Sequence, residues 1–121
     1  LQAMNTGHEG SMCSVHANSP SECLKRIENL YLLAGYSVPV KSIREQISTA
    51  VDYIIHLGRN KENERCITQI SEVGHMEGDT ILMQDIGKLG EYGLEFTGLV
   101  PQKVNKLFNV GLNKEFFKEL S

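Results

Sequence analysis

The apolar residues of this chain change from a helical to a strand period at residue 50, and that change limits what the chain can fold into. Before it, Leu24, Ile27, Tyr31 and Ala34, and then Val40, Ile43, Ile47 and Ala50, recur at helical spacing. After it, Val51 to Leu57 is a run of β-branched and aromatic residues, and Arg65 to Val73 alternates. Thr80 to Ile86 returns as a strand behind the turn Glu77-Gly78-Asp79. Two helices, a strand and a β-hairpin are therefore expected over residues 20–86. Asn18-Ser19-Pro20-Ser21-Glu22 marks the first helix start, with Ser19 as N-cap, Pro20 at the first helical position and Glu22 completing a capping box. Cys23 and Leu30 flank the apolar stripe of that helix, and Gly35 ends it. Pro39 begins the second helix, whose Lys41, Arg44 and Glu45 are expected to point away from its stripe.

The flanks carry weaker signals. Leu1 to Thr6 reads as a last helical turn closed by Gly7. Ser11 to His16 reads as a short strand with His16 at its C-terminal end, and Asn60 to Glu64 as a polar turn. Four glycines from Gly87 to Gly98 predict a loop or an irregular edge. Pro101 opens a helix carrying Val104, Leu107 and Phe108, closed by Gly111, and Asn113 caps a short final helix bearing Phe116, Phe117 and Leu120. The order strand, two helices, strand, hairpin, helices predicts an α/β layer ending in an antiparallel hairpin edge, with a small C-terminal helical subdomain.

Composition narrows the function classes. The chain has 121 residues with a formal charge of −3, which argues against a partner held mainly through nucleic-acid phosphates. No apolar run approaches the ~18 residues of a membrane span, so no direct membrane insertion is expected. Three widely spaced cysteines, Cys13, Cys23 and Cys66, fit reduced thiols in a cytoplasmic protein. Leu1 to Asn18 has no signal-peptide pattern, and Leu1-Gln2-Ala3-Met4 reads like the end of a helix already under way, so a piece of a longer chain is expected.

His16 is the foremost candidate for chemistry. A histidine between a strand end and a helix start stands where α/β proteins bind ligands, and its imidazole can contact a phosphate oxygen or orient a water. The helix start at Ser19 to Ser21 adds an anion site. The plain alternative is a structural histidine bonded to loop backbone. His8, between Gly7 and Glu9, has the alternative of a solvated loop residue. Arg44, Arg59 and Arg65 are candidates for phosphate or subunit-interface contacts, with surface ion pairs as their alternative. A zinc site from His8, Cys13, His16 and Cys23 can be drawn, but strand alternation puts Cys13 and His16 on opposite faces and the paired spacing of structural zinc is missing, so no metal ligand is assigned. His56 and His75 read as structural strand residues. No G-x-x-x-x-G-K-S/T, G-x-S-x-G or H-E-x-x-H occurs among the 121 residues.

One resemblance draws these residues together. Gly7-His8-Glu9-Gly10-Ser11, followed by Val15-His16-Ala17-Asn18-Ser19-Pro20, resembles the histidine box of the secretion traffic ATPases of type II and type IV systems, most nearly in the tight-adherence (Flp) pilus assembly branch. The likeness continues through Ile43-Arg44-Glu45-Gln46-Ile47, Val51 to Ile55, Ile70 to Val73, Met76 to Asp79 and Leu82 to Ile86. Cys13 and Ser14 stand where threonines are common in the box, and both are small. The resemblance implies that residues 1–87 are the C-terminal part of a RecA-like P-loop ATPase domain, with the histidine box at 7–20, and that residues 88–121 are a linker and variable helical tail. It implies a homo-hexameric ring that hydrolyses ATP with Mg²⁺, sister subunits and an inner-membrane platform protein as partners, and a place on the cytoplasmic face of the inner membrane. His16 and His8 take the family's role near the γ-phosphate. The P-loop would lie upstream, so these 121 residues alone are expected neither to bind ATP tightly nor to hydrolyse it. The rival expectation is a non-catalytic interaction module docking on a membrane platform or on sister subunits.

Overall fold

A computed structural model describes residues 12–35 and 37–102. Two helices come first, α1 (Pro20–Leu33) and α2 (Val40–Ala50), then four strands, β1 (Tyr53–Arg59), β2 (Arg65–Glu77), β3 (Thr80–Gly90) and β4 (Gly93–Phe96). The strands form one sheet in the order β1-β2-β3-β4. The chain is of mixed α and β class, and every strand pairing among the described residues is antiparallel. The described chain divides into two compact units: residues up to Asp52 with Val73–Leu82, and Tyr53–Glu72 with residues from Met83 on.

In the first unit, α1 forms where its cap dictates. Ser19 is extended at φ −157°, and its Oγ accepts the Glu22 N–H at 3.1 Å. Ala34 caps the other end, and Gly35 follows at φ +82°, a conformation that costs glycine little. α2 starts after Pro39 and ends where Val51 turns extended. The helices pack on each other through their apolar stripes. Leu24, Ile27 and Ala50 are buried, and Ile43 and Ile47 are fully so. Burying an isoleucine stabilises a fold by about 1.5–3 kcal/mol. The stripes are narrower than their spacing suggests: Leu30, Ala34 and Val40 are exposed.

The second unit is built on antiparallel strand pairs. β1 pairs with β2 from Tyr53↔Glu72 to Arg59↔Arg65, and a bulge between His56 and Leu57 leaves Thr68 without an opposite number. Asn60 makes the β1–β2 turn, its Oδ1 accepting from the N–H of both Glu62 and Glu64. The hairpin turn between β2 and β3 is Gly78-Asp79, as the pattern predicts, but both strands are longer than the sequence suggests.

Two expectations are corrected. Residues 12–17 form no strand. A strand needs a ladder partner as well as alternation, and none of the described strands pairs with this segment. His16 therefore does not stand at a strand end. The glycines after residue 86 do not make an irregular loop: β3 continues to Gly90, and β4 pairs back from Gly87↔Phe96 to Gly90↔Gly93. Gly93 sits at φ +130°, where a side chain would be strained, so glycine is what permits this tight hairpin. Pro101 and Gln102 are not helical. The helices expected beyond them, and the helical turn at 1–6, lie outside the described residues.

Candidate functional site

His16 lies on the irregular segment leading into α1, and its side chain is exposed. Three residues on, Ser19 does more than cap. Its carbonyl accepts the Cys23 N–H at 2.9 Å, and its Oγ lies 3.2 Å from the Ser21 Oγ. Pro20 has no N–H and the Glu22 N–H is taken by Ser19, so the first turn has few donors left for an external anion. The Glu22 carboxylate in that turn repels an anion further. The helix start expected to serve as an anion site is thus satisfied by its own side chains. His16 remains open to contacts from outside. His8 lies outside the described residues.

Arg44 does not point away into solvent. Its Nε and Nη2 grip the Glu28 carboxylate of α1 at 3.2 and 3.3 Å, and its Nη1 donates to the Asp79 carbonyl in the hairpin turn at 2.9 Å. The planar guanidinium can serve three acceptors at once. It ties α1, α2 and the turn of the first unit together. Arg59 is exposed and donates through Nη1 to the Asn63 carbonyl at 2.8 Å, closing the β1–β2 turn. Arg65 is exposed opposite it.

The sequence reading missed two carboxylates of the second unit. Glu72 is only 2% exposed. Its Oε1 accepts from Gln84 Nε2 at 2.8 Å and from the Gln102 N–H at 2.9 Å, and its Oε2 accepts from the Tyr53 hydroxyl at 3.2 Å. Three donors are what a buried carboxylate needs. Asp85 accepts from Gln69 Nε2 and Ser71 Oγ, both at 2.7 Å, and pairs with Lys88 at 3.2 Å. Partial burial pushes the Asp85 carboxyl up, but the bonds from Gln69, Ser71 and Lys88 and the lysine's charge outweigh it and hold the carboxyl below its ordinary value. Gln69 and Ser71 share one side of β2, and two polar side chains so placed on a half-buried strand were the available signal.

Of the cysteines, Cys13 is exposed, while Cys23 and Cys66 are half-buried and free. Burial, with Cys13 nearby adding to it, raises the Cys23 thiol's pKa and keeps it protonated. Among the described residues no three His, Cys, Asp or Glu side chains gather as metal ligands, and no helix is long and apolar enough to cross a membrane.

Comparison with known proteins supplies what the geometry does not. The family described as type II/IV secretion system protein matches residues 1–89. A Mycobacterium tuberculosis protein whose name carries the words conjugal transfer protein is 36% identical over 78 residues, which are 64% of this chain and 22% of that protein. Conjugal transfer protein TrbB of Rhizobium radiobacter is 35% identical over 78 residues, again 64% of this chain and 22% of its own length. The chain thus spans about a fifth of the length of the curated relatives it matches. The family match takes in His8, His16, both helices and nearly all of β3, and the chain belongs to the type II/IV secretion system protein family.

Proposed function

We propose that these residues are the C-terminal part of a RecA-like ATPase domain in a cytoplasmic, hexameric motor. Its whole chain hydrolyses ATP with Mg²⁺ to power pilus assembly, protein secretion or conjugal transfer. The observation that carries this reading is the family match over residues 1–89, which contains Gly7-His8-Glu9-Gly10-Ser11 and His16-Ala17-Asn18-Ser19 in order. The exposure of His16 supports it, because an imidazole that serves a nucleotide held elsewhere must be free to approach it. The branch is that of the tight-adherence pilus ATPases on the wording of the histidine box. The names of the relatives set conjugal transfer beside it.

The roles divide by chemistry. His16, with His8 ahead of it, approaches the γ-phosphate and couples its loss to movement of the ring. Arg59 is the better of the two arginines for a contact with a sister subunit, since Arg44 already serves Glu28 and Asp79. The residues present do not make an ATP–Mg²⁺ site by themselves. The sequence holds no phosphate loop with its lysine, and the described residues hold no cluster of carboxylates for a cation. The alternative reading is a non-catalytic module that docks on a membrane platform protein or on sister subunits.

Turnover decides between them. In the whole protein that carries this sequence, His16→Ala should lower ATP hydrolysis by roughly 10²-fold, the scale of a positioned acid–base group, without lowering the melting temperature. Unchanged turnover would remove His16 from the chemistry. A whole protein with no ATPase activity at all would leave the docking module as the function.

A further inference from the structure

Strand β1 ends the sheet, with β2 on one side of it. Its outer edge lacks the usual guards of an end strand. From Tyr53 to Gly58 it has no lysine, proline or acidic residue, and the extra residue of the bulge beside it belongs to β2. The residues flanking β1 fix which way its backbone faces. The Asp52 carbonyl accepts the Val73 N–H, and the Asn60 N–H donates to the Glu64 carbonyl, so both turn toward the β2 side. Alternation then turns the N–H and C=O groups of Ile55 and Leu57 to the outer edge. The side chains there are open too: Ile55 is 57% exposed and Leu57 58%, and Ile67 of β2, opposite Leu57, is 36% exposed. Backbone groups and apolar side chains presented together are a template for another strand.

The strand that fits this edge is β1 itself. We propose that two copies of this chain form a two-fold dimer by antiparallel pairing of β1 with β1, joining their sheets into one. A register centred on His56 pairs all seven residues of the strand. It sets Ile55 opposite Leu57 of the second copy, and Leu57 opposite that copy's Ile55. All four face outward with their backbone groups, so each pair exchanges two hydrogen bonds. Their side chains lie on one face, and the two patches become a single apolar strip. Arg59 falls opposite Tyr53 of the second copy, so no like charges meet at the ends. On the other face His56 is drawn toward β2, its Nδ1 2.9 Å from the Thr68 hydroxyl. A slip of one residue would oppose the apolar face to the other one, and a slip of two would leave the strand ends unpaired. This isologous contact closes at two copies, unlike the head-to-tail contacts of a ring, and it holds whatever reaction the whole protein performs.

The test uses the 121-residue chain. Sedimentation velocity should show a species of twice the mass of one chain. Ile55→Lys and Leu57→Lys should each reduce it to single chains, because a lysine on an end strand opposes pairing. The methyl signals of Ile43 and Ile47 should keep their positions in both variants, which separates loss of pairing from loss of the fold. Leu33→Lys, at a leucine of α1 that is 83% exposed, should leave the dimer intact. In a mixture of methyl-labelled and unlabelled chains, isotope-filtered Overhauser contacts should run from Ile55 of one copy to Leu57 of the other. These contacts are read on the unaltered sequence, so they decide even where a lysine variant fails to fold. A chain that sediments singly at every concentration overturns the proposal. So does a dimer that survives both lysine variants, or one whose filtered contacts omit Ile55 and Leu57, because another surface would then hold it.

Discussion

The Glu72 carboxylate accepts the backbone N–H of Gln102 at 2.9 Å, joining a strand in the middle of the sheet to a segment thirty positions later in the sequence. Glu72 is buried, and the same oxygen also takes Gln84 while its partner oxygen takes the Tyr53 hydroxyl. Removing the acceptor takes a partner from each of the three donors. Glu72→Leu should cost roughly 3 kcal/mol or more, since each stranded buried donor costs about 1–3 kcal/mol. Glu72→Gln should cost about 1 kcal/mol or less, because its carbonyl can still serve Gln84 and Gln102 while its amide donates to the tyrosine oxygen. Urea midpoints of the two variants check this, and equal losses would contradict the hydrogen-bonding account. Amide exchange at Gln102 should accelerate in the leucine variant first.

Asp85 gives a pH signature. Its carboxyl titrates below the ordinary value of 3.8 because Gln69, Ser71 and Lys88 favour the charged form against partial burial. A carboxyl with a lowered folded-state pKa adds stability above its unfolded pKa and loses that contribution as pH falls through the folded value. Asp85→Asn should therefore melt below the parent near pH 7, and the gap should narrow as the pH falls below the ordinary carboxyl value of 3.8 and through the lowered folded-state value. A gap of constant size from pH 2 to 7 would show that the asparagine differs in packing rather than in charge.

The helical unit depends on few side chains. Ile43 and Ile47 are fully buried on α2, and Ile27 faces inward from α1. Ile47→Ala should destabilise the fold by about 2–5 kcal/mol. Leu33→Ala, at a position 83% exposed, should shift stability by no more than about 0.5 kcal/mol. Chemical denaturation of both variants separates the inward stripe from the outward one, which helical spacing alone does not.

Local chemistry was legible in the sequence, and long-range pairing was not. The Ser19 cap, the stop at Gly35, the Ile43/Ile47 stripe and the turn at Gly78-Asp79 each depend on residues within a few positions of one another, and the structure has all of them. Residues 11–16 misled because alternation reports a face but not a neighbour. Gly87, Gly90 and Gly93 misled because glycine marks a loop and a close hairpin equally well. The segment 97–102 carries no local signal, as its holders are Glu72 and Gln84 on other strands. In the candidate site, Arg44 was legible as a cation but not as a clamp, since Glu28 and Asp79 approach it from sixteen residues before and thirty-five after. His16 stood out by type and position, yet its proposed role comes through the motif around it and not from any partner in the fold.

The division of labour proposed for the whole protein has a consequence for this chain alone. ATP binding at micromolar affinity needs donors that surround the phosphates and a cation between them. Here the first turn of α1 serves Ser19 and carries Glu22, Pro20 offers no donor, and the sequence has no phosphate-loop lysine. A single exposed imidazole adds one hydrogen bond, worth about 1 kcal/mol net. A fluorescent ATP analogue titrated with Mg²⁺ into the 121-residue chain should therefore bind more weakly than about 1 mM, the affinity that about 4 kcal/mol would give. Saturable binding in the micromolar range, lost in His16→Ala, would place a nucleotide site within these residues.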